Sequence, residues 1–220
     1  MKKIFLSVIV IFYVIAANAS VSDLPVKEWL VDKHDKPLLF YITGDGGFND
    51  FSTGFCKLLS QSGYDVLALN ARSYFWDKKT PQQTTADIAH YINGHLKGRE
   101  NQEVVMIGYS FGADVMPFIV NRIGDSIAVK NTFLMAPSSS TDFEIHWSDI
   151  LGGNKKRDMD VAAEVNRMTE NKLVIITGSD ETNFPFRTLT LKKYTHEVLP
   201  GGHHFDGDTA EVKAVILKHL

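Results

Sequence analysis

Two kinds of apolar pattern alternate along this chain. Short runs rich in β-branched and aromatic residues read as strands: Leu38 to Thr43, Tyr64 to Asn70, Glu103 to Ile107, Val129 to Met135, Leu173 to Thr177 and Tyr194 to Leu199. Between them lie longer stretches whose apolar residues recur at helical spacing. Phe48 to Ser62 carries Phe48, Phe51, Phe55, Leu58 and Leu59 on one face and is stopped by Gly63. Thr80 opens the next helix, with Pro81 at its first position and Gln83 placed to close a capping box; Ala86, Ala89, Ile92 and Leu96 mark its inward face. Phe111 to Arg122, Val161 to Met168 and Thr209 to Leu220 follow, the last turning Val212, Val215, Ile216 and His219 or Leu220 to the sheet.

Strand and helix in alternation predict an α/β fold, a mostly parallel sheet with helices on both faces. The stretch from Met135 to about Arg157 is irregular, which is where an insertion over a site would sit, but it is too short for a large cap domain.

The first nineteen residues belong to a different pattern. Lys2 and Lys3 precede an apolar run, Ile4 to Ala16, that ends in Ala17-Asn18-Ala19, the layout of a secretory signal peptide. A bilayer-spanning helix needs roughly 20 apolar residues, so the run is short for an anchor. Removal after Ala19 leaves Ser20 to Leu220, residues 20–220, enough for one domain with a full core. The formal charge then moves from −3 to −5 with no basic run, which argues against nucleic acid as a partner. Cys56 is the sole cysteine, so no internal disulfide can form; its apolar surroundings make it a core thiol.

The chemistry is concentrated at strand ends. Gly108-Tyr109-Ser110-Phe111-Gly112 is a G-x-S-x-G sequence between a strand and a helix, the context of a nucleophile elbow and of an α/β-hydrolase fold. A serine hydroxyl needs a base to take its proton and an acid to orient that base, in the chain order Ser, acid, His. Asp180, where the strand Leu173 to Thr177 runs out, is the preferred acid, with adjacent Glu181 as the alternative. The loop Pro200-Gly201-Gly202-His203-His204-Phe205 supplies the base. His204 is preferred because Phe205 can anchor the loop beside it, leaving His203 as a neighbour or substrate contact. The oxyanion donors are expected from Phe111 and from Asp45 or Gly46 in Thr43-Gly44-Asp45-Gly46-Gly47. No metal or other cofactor is expected, since the two histidines point apart and no third ligand has supporting spacing.

These residues resemble the VirJ/AcvB proteins of bacterial envelopes. The resemblance is carried by Gly44-Asp45-Gly46-Gly47, by Arg72-Ser73-Tyr74-Phe75-Trp76 with Thr80-Pro81, by Gly108 to Val115, and by Gly201-Gly202-His203-His204-Phe205-Asp206-Gly207-Asp208. Together these blocks span almost the whole of residues 20–220, and the single-domain layout is VirJ-like. The resemblance implies a periplasmic α/β hydrolase that cleaves aminoacylated phospholipids such as lysyl-phosphatidylglycerol at the membrane surface. It also implies an accessory role in type IV secretion or virulence, with secretion-system proteins as partners. A cationic aminoacyl head would call for carboxylates, and Asp114 and Glu144 are the candidates, with Arg72 and Tyr74 further along the cleft and Arg72 suited to a lipid phosphate. The bland alternative is that these side chains pack or pair within the fold. Two rival functions remain: a non-catalytic adaptor on a hydrolase scaffold, and a general carboxylesterase or thioesterase.

Overall fold

The computed structural model describes residues 24–99, 101–125, 127–146, 157–168 and 172–220; the expected signal peptide, residues 1–19, lies outside them. In chain order the described elements are β1 (Val26–Trp29), β2 (Leu38–Ile42), α1 (Asp50–Gln61), β3 (Val66–Leu69), α2 (Ala71–Tyr74), α3 (Pro81–His95), β4 (Val104–Tyr109) and α4 (Phe111–Val120). There follow β5 (Val129–Met135), β6 (Ser140–Thr141), β7 (Met159–Asp160), α5 (Val161–Val165), β8 (Lys172–Gly178), β9 (Thr195–Leu199) and α6 (Thr209–Lys218).

Seven strands make one sheet in the order β1-β3-β2-β4-β5-β8-β9, parallel throughout except for the antiparallel edge strand β1. Every residue of β2, β3 and β4 is buried, as expected of central strands covered on both faces. Alternation divides their side chains between two cores. Leu38, Phe40 and Ile42 join Ile88, Ile92, Val115, Ile119, Val161 and Val165 on the face of α3, α4 and α5. Leu39 and Tyr41 join Phe55, Cys56, Leu59, Val212 and Ile216 on the face of α1 and α6.

Local signals set most boundaries. Thr80 Oγ1 accepts from Gln83 N–H at 3.1 Å and starts α3; Gly63, at φ +87°, follows the end of α1. The inward face of α3 differs from expectation: Ile88, Ile92 and Leu96 are buried with Thr84 and Thr85, while Ala86 is exposed. The larger Ile88 decides the rotation of the helix, because burying it removes more apolar surface from water than burying an alanine does. Strand β1 is invisible to hydrophobic patterning because Val26-Lys27-Glu28-Trp29 has no apolar run; its pairing with β3 is made by backbone, and its charges suit an edge. Part of the irregular stretch after β5 forms the small antiparallel pair β6 and β7.

Candidate active site

Strand β4 lies at the middle of the sheet and delivers Ser110 to its carboxyl edge, the side on which open α/β sheets bind ligands. Ser110 has φ +52° and ψ −118°, a conformation that costs a non-glycine residue roughly 1–3 kcal/mol. Two backbone bonds hold it: Ser110 N–H to Met135 O at 2.9 Å, and Asp114 N–H to Ser110 O at 3.0 Å. The flanking glycines are dictated by close approach. A Cβ on Gly108 would lie 2.3 Å from Gly112 O, and one on Gly112 would lie 2.2 Å from Ile42 O. The turn thus packs backbone directly onto backbone and lifts the serine clear.

The residues expected to donate to an oxyanion, Phe111 and Asp45 or Gly46, lie at the start of a helix and at the tip of a turn. Phe111 is the first residue of α4, so its N–H has no acceptor within the helix. The turn after β2 closes through Gly47 N–H to Gly44 O at 3.0 Å, leaving Asp45 and Gly46 at its tip. A Cβ on Gly44 would sit 3.2 Å from Ser110 Cβ, so the turn lies against the serine.

The base and acid assignments differ from expectation. His203, not His204, faces the serine: His203 Nε2 is 2.8 Å from Ser110 Oγ. Glu181, not Asp180, faces His203, with Glu181 Oε1 2.6 Å from His203 Nδ1. Glu181 Oε2 accepts from Gly178 N–H at 3.0 Å, which fixes the carboxylate facing Nδ1. The four residues Gly178 to Glu181 form a turn closed by Glu181 N–H to Gly178 O at 3.2 Å. Asp180 is a central residue of that turn and is exposed, its carboxylate accepting from Ser179 Oγ at 3.0 Å, whereas the Glu181 side chain is 7% exposed. Phe205 does anchor the histidine loop, buried among α1 and α6 residues, but the adjacent His204 turns outward to Tyr109, with Nδ1 2.5 Å from the phenol oxygen. Adjacent side chains diverge, so the anchor constrains His204 away from the serine.

Electrostatics follow from the same contacts. The Glu181 hydrogen bond raises His203 above the ordinary histidine range, outweighing the burial that would lower it, and the charges of Asp114 and Asp45 add to the rise. Burial pushes Glu181 upward, but the hydrogen bonds from His203 and Gly178 outweigh it and hold the carboxyl below its ordinary range. An ionised Glu181 thus steadies His203 when it takes up a proton.

The expected substrate contacts are dispersed. Asp114 is buried and bound within the fold: Ser138 N–H donates to Oδ1 at 2.6 Å and Ser138 Oγ to Oδ2 at 2.7 Å. Burial pushes this carboxyl up to about 7. Tyr74 is also buried and donates to Asp87 Oδ2 at 2.6 Å, so it ties α2 to α3 and does not line a cleft. Both residues therefore follow the bland alternative, since a buried polar group needs an internal partner. Glu144 is half-buried with His146 Nε2 at 3.4 Å. Arg72 stands beside the glycine turn, its Cβ 3.4 Å from where a Cβ on Gly47 would lie.

Sequence reasoning also missed Gly178 as a site residue. A Cβ there would lie 2.4 Å from Gly202 O, so the acid turn and the histidine loop touch backbone to backbone. A glycine ending an apolar strand opposite Gly201-Gly202 was the available signal.

Comparison with known proteins agrees with this architecture. A family model described as bacterial virulence protein (VirJ) matches residues 35–220. Among curated proteins none matches this chain in sequence. Similar solved structures include a lipase-esterase related protein from Clostridium acetobutylicum, 13% identical, covering 89% of this chain and 100% of that one at TM-score 0.64. A thioesterase domain from the curacin biosynthetic pathway is 13% identical over 88% of this chain and 94% of its own, at TM-score 0.61. Est1E from Butyrivibrio proteoclasticus, bound to ferulic acid, is 15% identical over 88% and 95% of the two chains at TM-score 0.60. At such identities these likenesses establish the α/β-hydrolase fold.

Proposed function

We propose that this chain, which belongs to the VirJ family of bacterial virulence proteins, is a serine esterase whose triad is Ser110, His203 and Glu181. The observation that carries the reading is the continuous chain from Ser110 Oγ to His203 Nε2 at 2.8 Å and from His203 Nδ1 to Glu181 Oε1 at 2.6 Å. A protein that only binds has no need for a strained serine aligned with an oriented base. In the reaction, Ser110 Oγ attacks the ester carbonyl while His203 Nε2 takes its proton. The oxyanion is met by the amide of Phe111 and one from the Asp45–Gly46 tip. Collapse expels the alcohol, which recovers the proton from His203, and water activated by the same imidazole then frees the acyl group.

The substrate class we favour is the aminoacyl ester of a phospholipid, of the lysyl-phosphatidylglycerol kind, met at the membrane surface of the periplasm. Its support is the resemblance to the VirJ/AcvB proteins together with the signal-like residues 1–19. Among the described residues no helix is long and apolar enough to cross a membrane. A secretion-system partner belongs to the same proposal.

The test incubates purified wild type and Ser110→Ala with lysyl-phosphatidylglycerol vesicles and with a p-nitrophenyl ester. Serine-dependent lysine release is the expected result. Nitrophenol without lysine would move the substrate to another ester or thioester, and silence on both from folded protein would favour the adaptor.

A further inference from the structure

The residue between Gly108 and Ser110 makes contacts that the triad does not account for. Tyr109 is buried, 2% exposed, with its ring packed 4.7 Å from Phe51 and 6.4 Å from Phe205. Its hydroxyl reaches across to the loop that carries the base. It donates to the main-chain carbonyl of His203 at 3.2 Å and lies 2.5 Å from Nδ1 of His204. A phenol has one proton to give, and a carbonyl can only accept. The two contacts are satisfied together when Tyr109 gives its proton to the His203 carbonyl and His204 donates Nδ1–H to the phenol oxygen. Burial raises the Tyr109 phenol above its ordinary range, so it keeps the proton this arrangement requires.

We propose that Tyr109 and His204 form a clamp that positions His203 over Ser110, with Tyr109 as the positioning residue and His204 as its partner. The inference rests on the Ser110–His203 reading given above. The loop is held from the acid turn, where Gly178 packs on Gly202 O and Asp180 N–H donates to Gly201 O at 3.1 Å, and by Phe205 in the same core as the Tyr109 ring; the Tyr109 hydroxyl adds a tie to the residue next to Ser110. Because Tyr109 is covalently joined to the nucleophile, its bond to the His203 carbonyl couples base and nucleophile through one residue. An error of about 1 Å in such a pair costs on the order of 100-fold in rate. The second histidine, which sequence reasoning preferred as the base, thus has a different task.

The experiment measures how fast Ser110 is labelled by a fluorophosphonate, a probe independent of the natural substrate. Ser110 Oγ bonds to phosphorus, the P–F bond breaks, fluoride leaves, and the hydroxyl proton passes through His203 to solvent. Wild type, Ser110→Ala, His203→Ala, Tyr109→Phe, His204→Leu and His204→Asn are compared, with thermal unfolding of each. Tyr109→Phe keeps the ring and removes both bonds. The limiting labelling rate should fall ~10- to 100-fold, with the half-saturating probe concentration within about twofold, the mark of lost alignment and not of lost binding. His204→Leu should lose part of that rate. His204→Asn should recover it, because the asparagine amide places an N–H donor near the position of Nδ1.

Tyr109→Phe labelling at the wild-type rate, or His204→Asn doing no better than His204→Leu, overturns the clamp. Should Tyr109→Phe fail to fold, the exposed His204 pair decides alone. If wild type is unlabelled or His203→Ala labels normally, the triad reading itself fails, a result distinct from losing the clamp while Ser110→Ala and His203→Ala are both silent.

Discussion

At the Ser110 elbow close backbone packing on both flanks is the constraint, whereas at the loops carrying Glu181 and His203 one such contact, Gly178 on Gly202, is joined by hydrogen-bonding side chains. The elbow admits no Cβ at Gly108 or Gly112, because main-chain oxygens stand 2.3 and 2.2 Å from where one would be. In the histidine loop a Cβ on Gly202 would meet nothing within 4 Å. Its order comes from the acid turn, which meets it at Gly178 and through Asp180 N–H to Gly201 O, from the bonds of His203 and Tyr109, and from Phe205 in the core. Rigid backbone positions the nucleophile, and specific side chains bring the base to it. Damage to the supports of the two regions should therefore look different: a side chain added at the elbow glycines should cost stability, and a bond removed at the loops should cost rate.

The largest expected effect is on chemistry at the elbow. Ser110→Ala should abolish serine-dependent ester hydrolysis, a loss on the order of 10³- to 10⁶-fold, with thermal unfolding close to wild type because alanine adopts the same backbone at similar cost. Partial activity with an intact fold would remove Ser110 from the mechanism. Next come the two neighbouring carboxylates of the acid turn. Glu181→Gln should lower kcat by ~10²- to 10⁴-fold, as an unsupported imidazole loses both orientation and charge stabilisation. Asp180→Asn should leave kcat within about twofold, since its carboxylate is exposed and, among the described residues, bonds to Ser179 alone. A reversal of that order would restore Asp180 as the acid.

Stability gives a third contrast. Gly112→Ala must push its new methyl away from Ile42 O and should cost at least about 2 kcal/mol, seen as a fall in Tm of roughly 4–8 °C for a domain of this size. Gly202→Ala has open space and should shift Tm by no more than about 2 °C. Equal losses in both would show that the loop is as tightly packed as the elbow.

The smallest effect is a displacement on the pH axis. His203 acts as a base only when neutral, and Glu181 raises it above the ordinary value of 6.5. Hydrolysis should thus rise with pH along an acid limb centred above 6.5, read from kcat/KM. In Glu181→Gln the raising partner is gone, so the limb should move to lower pH even as the plateau falls. An unmoved limb would mean that Glu181 does not set the charge on His203.

The sequence alone determined the layered α/β plan and the location of Ser110, and both depend on local rules. Fully apolar strands announce burial on both faces, and G-x-S-x-G announces an elbow because only glycine tolerates backbone contact at those two places. The region of the acid and base was also legible, to within one residue each. The choice within Asp180-Glu181 and within His203-His204 belonged to tertiary structure: neighbours in a chain share a location but point in different directions, and only the surrounding turn and core select between them. The same holds for Asp114 and Tyr74, whose polar groups look available in the sequence and are consumed in the fold by Ser138 and Asp87. Strand β1 followed the same logic, since its place depends on a backbone partner 37 to 43 residues away, Val26 pairing with Leu69 at one end and Trp29 with Val66 at the other, and on no pattern of its own.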